Sequence, residues 1–519
     1  DGASFGAGSL GQASHDGASF GAGSLGQASR GGSHPVVALL PPCPPETLGD
    51  PDFRREHGLR YAYVAGAMAN GIGSCEIVEE MCRAGMLGFF GAAGLSPDRV
   101  AAAIDRLQAR LGDRPFGFNL IHSPNEPRLE AEIVELYLRR GVRLVEASAY
   151  LDLTLPVVKY RVAGIHRGPD GQPIAPNRII AKVSRVEVAS KFMAPPPERF
   201  LRVLREQGFL DDEQVRLASR LPMAQDVTGE ADSGGHTDNR PAITLIPTLL
   251  ALRDRLQRQY SFAQPIRVGA AGGIATPQAA AGAFTLGASY ILTGSINQAC
   301  VESGSSDLVR EMLAEAEQAD VTMAPAADMF EMGVKVQVLK RGTMFPMRAA
   351  RLYELYRAYP SLDAIPPAEK VQLEKNIFRQ SLEETWAQTC DFFRRRDPSQ
   401  IAKAEADPKH KMALVFRWYL GQSSRWANQG LAERKMDFQI WCGPAMGAFN
   451  EWTKGTFFER PENRRVAVVA MNLLYGAGWT LRARALQQQG VRVPDDWLAA
   501  RPMEPAELKR RLDGEVADQ

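Results

Sequence analysis

The sequence predicts a (β/α)8 TIM barrel with an additional, mainly helical subdomain. From about residue 60, short apolar runs alternate with amphipathic stretches over roughly 240 residues, the pattern of βα units around a closed parallel barrel. The chain of 519 residues is also longer than one ordinary domain. We therefore expect a second, smaller region after the barrel.

The predicted strands can be read off in order. They are Tyr61–Met68, Leu87–Phe90, Phe116–Leu120, Leu144–Ala147, Ile179–Val183, Asp226–Glu230, Ile266–Gly269 and Tyr290–Thr293. Helical spacing of apolar residues predicts amphipathic helices between them, as at Pro97–Leu111 and Leu129–Arg140. An open doubly wound sheet is the alternative, but no GxGxxG turn follows an early strand.

Composition divides the rest of the chain. Residues 1–14 recur unchanged at 16–29 and are rich in Gly, Ser and Ala, so burial cannot offset the entropy of ordering them. Apolar residues at helical spacing predict helix across Lys370–Arg396 and Met412–Leu420. The expected regions are a disordered tail at 1–35, the barrel at 46–330, the helical subdomain at 331–440 and a C-terminal helical segment packing on the barrel at 441–500.

Charge and cysteine usage exclude several classes of protein. The formal net charge of +1 argues against a nucleic-acid-binding protein, which should be strongly basic. No apolar run approaches the length that spans a bilayer. The 6 cysteines form no CxxC pair, which favours free thiols in a reducing compartment over disulfides or a zinc site. We expect a cytoplasmic protein without metal, nucleic-acid or membrane partners.

Glycine turns follow the last two predicted strands. Gly272 and Gly273 come after strand seven, and Gly294 and Ser295 come after strand eight. Glycine lets backbone N–H groups approach a ligand closely, and many barrels bind a phosphate at these two turns. Thr276 is also a good N-cap for the next helix, whose N-terminus favours anions. The sequence predicts a phosphate site for FMN, a nucleotide substrate or a sugar phosphate.

A polar loop, EADSGGHTDNRP at Glu230–Pro241, follows strand six. Within it His236 comes after Gly234 and Gly235, and a histidine titrates near working pH, so it can donate or accept a proton. A surface-loop histidine without a role is the alternative. Lys182 follows apolar residues in strand five, and a buried ammonium needs a partner. The polar edge of a flavin or a neighbouring carboxylate would supply one.

These motifs, in this order, resemble the PfaD family, the trans-acting enoyl reductases of polyketide and polyunsaturated fatty-acid synthases. That family belongs to the flavin barrels similar to nitronate monooxygenase and FabK-type enoyl reductases. The similar segments, which extend over about residues 46–500, are GAM at 66–68, GFNL at 117–120, the histidine loop, GAAGGIATP at 269–277, TGSIN at 293–297, Lys335–Leu362, Cys442–Trp452 and Met471–Ala477. Gly229 departs from the pattern, because a β-branched residue is expected in that strand.

The resemblance implies FMN as cofactor and NADPH as hydride donor. The implied substrate is an α,β-unsaturated acyl thioester on the acyl carrier protein domain of a polyketide or fatty-acid synthase, and a homodimer is the expected assembly. By position, His236 is implied to be the catalytic residue. The residues implied to hold the flavin ring, its polar edge and its phosphate are Gly66, Ala67, Met68, Asn119, Lys182, Gly234, Gly235, Gly272, Gly273, Gly294 and Ser295.

Other functions stay open at this point. A nitronate monooxygenase-type flavin oxidase would share the barrel, although the long helical region argues against it. An inosine-monophosphate-dehydrogenase-like enzyme would need a nucleophilic cysteine, and Cys300, the only contender, is expected to be a buried helix residue. A non-catalytic scaffold is a further alternative. The cluster Arg394–Arg396 favours a solvated helix end, with docking of an acidic carrier protein as the alternative.

Overall fold

The computed structural model describes residues 40–122 and 127–513 and contains the predicted closed barrel. Its parallel strands are β1 (Tyr63–Ala65), β2 (Leu87–Phe90), β3 (Gly117–Ile121), β4 (Leu144–Ser148), β5 (Arg178–Val183), β6 (Asp226–Glu230), β7 (Arg267–Ala271) and β8 (Ile291–Thr293). Each strand pairs with its neighbours in chain order until β8 closes on β1. Every predicted run overlaps one of these strands, so the predicted barrel is confirmed. The expected tail at 1–35 lies outside the described residues.

Helices surround the barrel and follow its strands. Those up to the end of the barrel region are α1 (Pro51–His57), α2 (Cys75–Arg83), α3 (Pro97–Leu111), α4 (Pro127–Arg139), α5 (Leu155–Val162), α6 (Val186–Met193), α7 (Glu198–Glu206), α8 (Asp212–Ala218), α9 (Ala242–Tyr260), α10 (Pro277–Thr285), α11 (Ser295–Gln298) and α12 (Asp307–Ala314). Helix α3 matches its prediction and buries Val100, Ile104 and Leu107, which lie on one face at helical spacing.

The region after the barrel is mainly helical, as predicted. Its helices are α13 (Phe345–Ala358), α14 (Pro367–Leu373), α15 (Leu382–Arg396), α16 (Ser399–Ala406), α17 (Pro408–Gln429), α18 (Ala445–Thr453), α19 (Val466–Gln488), α20 (Asp495–Leu498) and α21 (Pro505–Leu512). Residues from Pro41 onward, as far as they are described, belong to one compact unit.

One predicted helix is interrupted in the structure, so that prediction is wrong. The stretch Lys370–Arg396 is not a single helix, because α14 gives way to a π-helical turn at Glu374–Phe378. Arg379 then adopts a φ of +58°, which interrupts the helix. Ser381 begins α15 with a capping box in which its side chain accepts from the backbone N–H of Glu384.

A small sheet outside the barrel escaped prediction. It consists of β9 (Val321–Pro325) and β10 (Lys335–Leu339), which pair antiparallel. The two-residue strand Gly235–His236 adds to the other edge of β10, with His236 opposite Val336. The sheet therefore fixes the histidine loop, which follows β6, against a segment beyond the barrel.

Gly229 is explained by how closely α9 packs on β6. A Cβ atom at Gly229 would lie 2.6 Å from Cδ1 of Ile246 and 2.9 Å from Cδ1 of Leu249. The expected β-branched side chain would therefore collide with the helix. The barrel closes here with glycine in place of a side chain.

A buried ionic network closes the end of the barrel opposite the strand C-termini. Asp226 accepts hydrogen bonds from Arg267 Nε at 2.6 Å and lies 2.8 Å from His57 Nε2. Burial alone would raise the pKa of Asp226, but its contacts with His57 and Arg267 lower the pKa to about 2. Phe53 of α1 stacks on Tyr290 at 4.2 Å beside this network. Helix α1 thus covers this end of the barrel, and the Phe53–Tyr290 stacking and the His57–Asp226 contact hold it there.

Substituting Asp226→Asn should lower the free energy of unfolding by about 2–3 kcal/mol, because Arg267 would lose its buried counter-charge. In the wild type, the same carboxylate stabilises the fold above its unfolded pKa. That contribution should be lost as the pH falls from about 4 to about 2. Urea unfolding across this pH range measures both effects. The exposed Asp113→Asn variant is the matched control, and equal destabilisation by both changes would contradict the account.

Among the described residues, no helix is long and apolar enough to cross a membrane.

Candidate active site

One large cavity opens at the C-terminal ends of the barrel strands and has a volume of 1210 Å³. All of the predicted site residues line it: Gly66, Ala67, Met68, Asn119, Lys182, Gly234, Gly235, His236, Gly272, Gly273, Gly294 and Ser295. Small-molecule sites typically occupy about 300–1,000 Å³. This cavity therefore has room for a cofactor and a second ligand together.

The glycine turns after β7 and β8 leave a cradle in the cavity wall. Gly272 and Gly273 have φ values of +84° and +75°, which favour glycine. A Cβ atom at Gly272 would lie 2.6 Å from the carbonyl carbon of Ala231, so this residue makes a close turn. A Cβ atom at Gly273 or Gly294 would meet nothing within 4 Å, so the backbone there is open to a ligand. These turns fit the terminal phosphate of a mononucleotide.

The N-terminus of α10, the helix after β7, contributes less to the cavity wall than the sequence predicts. Thr276 caps α10 by accepting a hydrogen bond from the backbone N–H of Ala279 at 3.2 Å, but it does not line the cavity. The next residue, Pro277, lies against α19, where a Cβ at Gly476 would meet its Cγ at 2.6 Å. The open backbone at this wall of the cavity therefore belongs to the glycine turns and not to the first turn of α10.

Charged side chains from three strands meet beside the cavity. Lys182 Nζ on β5 lies 3.2 Å from Glu230 Oε1 at the end of β6, so the neighbouring-carboxylate alternative is present in the structure. Glu146 on β4 is fully buried, and burial raises its pKa to about 7 although Lys182 acts in the opposite direction. Burial lowers the pKa of Lys182, but Glu230 and Glu146 raise it above its usual range. The cavity wall therefore carries a lysine that stays cationic.

The Glu146 carboxyl is only half satisfied. Its Oε2 accepts from the backbone N–H of Ala67 at 2.8 Å, whereas its Oε1 has no hydrogen-bond partner among the described residues. Buried polar atoms are normally paired, and this unpaired oxygen lies behind Gly66 and Ala67, which line the cavity. This position is where the resemblance places the flavin ring.

Asn119 presents an acceptor to the cavity. Its Nδ2 donates to the carbonyl of Glu146 and to Ser148 Oγ, both at 3.1 Å. Both amide hydrogens are thereby used, and the amide oxygen is left to accept. Asn119 can therefore bind an N–H group of a ligand, whereas Lys182 can bind a carbonyl.

His236 has a carboxylate partner that sequence reasoning missed. Its Nε2 lies 3.2 Å from Oδ1 of Asp328, which follows β9, and both side chains are about one-third exposed. Burial lowers the pKa of His236, but the charge and hydrogen bond of Asp328 raise it above its ordinary value. Burial raises the pKa of Asp328, and His236 in turn lowers it. The pair favours a protonated imidazole that faces the cavity.

Two aspartates of the histidine loop, Asp232 and Asp238, contact residues other than His236. Asp238 pairs with Arg185 at 2.8 Å and is not among the residues that line the cavity. Asp232 accepts from Asn239 Nδ2 and Gln337 Nε2, both at 2.8 Å, and so holds the loop on β10. Neither orients His236.

Cys300 does not belong to the site. It is fully buried just past the end of α11, and its thiol donates to the carbonyl of Ile296 at 3.3 Å. Burial raises its pKa well above its ordinary value. A nucleophilic role of the kind an inosine-monophosphate-dehydrogenase-like enzyme requires is therefore unsupported.

The missed residues differ in how visible they are in the sequence. Glu146 interrupts an apolar run and Glu230 ends one, so charged residues inside predicted strands were an available signal. Asp328 carried no such signal, because it lies in a loop whose sheet was not predicted and contacts a residue 92 positions away.

Comparison with known proteins agrees with this geometry. The nitronate monooxygenase family profile matches residues 56–358, more than half of the chain. The chain is 48% identical to a polyunsaturated fatty acid synthase subunit of Thraustochytrium sp. over 87% of its length. It is 46% identical to the polyketide biosynthesis protein PksE of Bacillus subtilis over 83% of its length. It covers 31% and 56% of those two relatives, respectively.

A solved structure extends the comparison beyond the barrel. The enoyl reductase domain of MlnA, from the macrolactin biosynthesis cluster of Bacillus amyloliquefaciens, is 40% identical, with a TM-score of 0.82. The match covers 86% of this chain and all of that domain. Residues 359–438 separately match the inserted helical domain of [acyl-carrier-protein] S-malonyltransferase.

The fold, the strand-end cavity and these matches define the class, a flavin-dependent oxidoreductase built on a (β/α)8 barrel. More particularly, the chain belongs to the nitronate monooxygenase family. The resemblance to synthase enoyl reductases that the motifs predicted is confirmed by the relatives.

Proposed function

We propose that this protein is an FMN-dependent, trans-acting enoyl reductase that transfers hydride from NADPH to an α,β-unsaturated acyl thioester on an acyl carrier protein. The observation that carries the proposal is the convergence of all predicted strand-end residues on one cavity large enough for two ligands. The 40% identity to an enoyl reductase domain supports this reaction over others of the same family.

The residues present fit a flavin mononucleotide. Gly272, Gly273, Gly294 and Ser295 would hold the phosphate at the cradle. Asn119 and Lys182 would bind the polar edge of the ring, while residues 66–68 would lie along the ring and Gly234 and Gly235 would flank it. When bound, FMN supplies a two-electron carrier between nicotinamide and enoyl carbon.

The reaction adds a hydride at the β-carbon and a proton at the α-carbon, giving a saturated thioester and NADP⁺. Negative charge develops on the thioester oxygen, so hydrogen-bond donors directed at that oxygen lower the barrier. His236 faces the cavity with a raised pKa, and we assign it the proton that reaches the α-carbon. Asp328 keeps the imidazole oriented and protonated.

The helical region supports a carrier-linked substrate. Residues 359–438 match a helical domain found in an acyltransferase that acts on acyl carrier protein. Side chains from α15 and α17, including Phe393 and Trp418, line the same cavity as the barrel residues. We propose that a thioester on a carrier enters beside these helices.

A steady-state assay separates this proposal from its rival. With FMN, NADPH and a crotonyl thioester, we expect stoichiometric NADPH oxidation and formation of the butyryl thioester. Oxygen uptake with an alkyl nitronate, without NADPH, is the corresponding assay for a nitronate monooxygenase-type oxidase. Nitronate-driven oxygen uptake together with no butyryl product would overturn the reductase proposal.

The substitution Asp328→Asn should change the pH dependence of proton donation. The wild-type rate of thioester reduction should fall as the pH rises through the raised pKa of His236, because the donor loses its proton. Removing the Asp328 charge should lower that pKa, move the fall to lower pH and reduce the rate at pH 8 by about tenfold. Single-turnover rates between pH 6 and pH 9 measure this shift. An unchanged profile would show that Asp328 does not act through His236.

A further inference from the structure

The cavity mouth carries an unequal distribution of charge. Within residues 40–122 and 127–513, four carboxylates line the cavity, and each has a partner: Glu76 pairs with Arg106, Glu130 with His122, Glu230 with Lys182 and Asp328 with His236. The acidic groups of the cavity are therefore already compensated within the protein.

Three arginines at the cavity mouth, in contrast, form no ion pair with a carboxylate of the described residues. Arg99 on α3, Arg395 on α15 and Arg425 on α17 line the cavity and are solvent-exposed. None of the three has an ion pair with a carboxylate of residues 40–122 or 127–513. By contrast Arg394, the neighbour of Arg395, pairs with Asp391 and does not line the cavity.

These arginines come from elements far apart in the chain. Arg99 lies in the first turn of α3, next to the C-terminal end of β2, whereas Arg395 and Arg425 belong to the helical region. These three side chains line one cavity from separate elements, and each guanidinium presents a planar fork of N–H donors that suits phosphate oxygens. The exposed ring of Phe392, also in the lining, adds an apolar surface at this opening.

We propose that Arg99, Arg395 and Arg425 form a second phosphate subsite, at the mouth of the cavity and separate from the glycine cradle. It would bind the phosphate ester that a substrate carries away from its reacting end. The inference rests on the proposed function for the identity of that ester, which is either the phosphate of a carrier's phosphopantetheine arm or the 2′-phosphate of NADPH.

Direct binding to the flavin-loaded protein tests this subsite without turnover. Calorimetric titration at low ionic strength would compare 4′-phosphopantetheine with pantetheine, and adenosine 2′,5′-bisphosphate with adenosine 5′-monophosphate. An exposed arginine–phosphate contact contributes a factor of roughly two to three, so three contacts should favour the phosphorylated ligand by about tenfold. Raising the salt concentration should weaken this preference, because exposed charges are screened.

The variant Arg99→Gln/Arg395→Gln/Arg425→Gln should lose most of this preference, and the corresponding triple lysine variant should retain part of it. The matched control is Arg202→Gln/Arg216→Gln/Arg258→Gln, which removes the same charge from exposed positions on α7, α8 and α9 outside the cavity. We expect the control to bind like the wild type. Loss confined to one ligand pair identifies the phosphate source, and loss in both shows a shared subsite.

Three results would overturn the subsite: no preference in the wild type, a preference that survives in the triple glutamine variant, or an equal loss in the control. A protein that reduces no enoyl thioester but retains the arginine-dependent preference would refute the proposed function alone.

Discussion

Gly294→Val should yield a folded protein that is purified without flavin and binds FMN at least about 100-fold more weakly. Among the described residues, no neighbouring atom lies within 4 Å of a Cβ at Gly294, and its φ of −133° lies outside the left-handed region that favours glycine, so the added side chain should not collide with the fold. The added side chain would instead occupy the cradle that we assign to the phosphate. Losing several charge-assisted hydrogen bonds to backbone N–H groups accounts for an effect of this size.

Gly282→Val is the matched control for this prediction. Gly282 also has open space at its Cβ position, but it lies exposed on α10 outside the cavity. Flavin content and a fluorescence titration with FMN, each measured beside circular dichroism, distinguish the two variants. Normal FMN binding by Gly294→Val would contradict the assignment of the phosphate to the glycine turns.

His236→Ala should slow the reoxidation of reduced flavin by an enoyl thioester by about 100- to 10,000-fold, the usual contribution of a positioned acid. Flavin reduction by NADPH requires no proton from this residue, so that half-reaction should change little. The asymmetry distinguishes a proton donor from a residue that only shapes the cavity. Anaerobic stopped-flow spectroscopy measures both half-reactions on the same protein.

The control for this substitution is His166→Ala. His166 is exposed, lies outside the cavity and has its ring Nδ1 within 3.0 Å of the carbonyl oxygen of Gly164. Its loss should leave both rates unchanged. Equal slowing of the two half-reactions in His236→Ala would argue that the histidine positions ligands and does not donate the proton.

The barrel could be predicted because its signals are local. A buried parallel strand is a short apolar run, and glycine turns after β7 and β8 follow such runs directly in the sequence. Helix α3 is predictable for the same reason, since its apolar face repeats within fifteen residues. The predicted cavity residues lie in or shortly after these strands, so their positions are visible in the sequence as well.

The missed features depend on contacts between distant segments. The pairing of His236 with Val336 and its hydrogen bond to Asp328 join the loop after β6 to a segment that follows β8 in the sequence. Gly229 looked anomalous because the reason for it lies on α9 and not in its own strand. The break between α14 and α15 had a local signal, the capping box of Ser381 and Glu384, which the apolar spacing across it obscured.

The role of the arginine cluster also depended on three-dimensional placement. A helix that ends in Arg394–Arg396 indicates favourable charges near its C-terminus, and Arg394 fits that interpretation. Arg395 and Arg396, by contrast, line the same cavity as Arg99, which lies nearly 300 residues earlier in the chain. Sequence alone cannot show that these residues share a cavity. The sequence predicts the barrel and the helical region as separate parts, whereas residues of both line one cavity.

In the proposed function, the residues of the strand-end cavity would hold a flavin that supplies a two-electron carrier between NADPH and an enoyl thioester. The most direct measurement is the visible absorbance of the purified protein, followed anaerobically through two additions. We expect a flavin spectrum that bleaches with NADPH and returns when a crotonyl thioester is added. A protein that stays colourless after incubation with excess FMN, or a reduced flavin that the thioester does not reoxidise, would contradict the account.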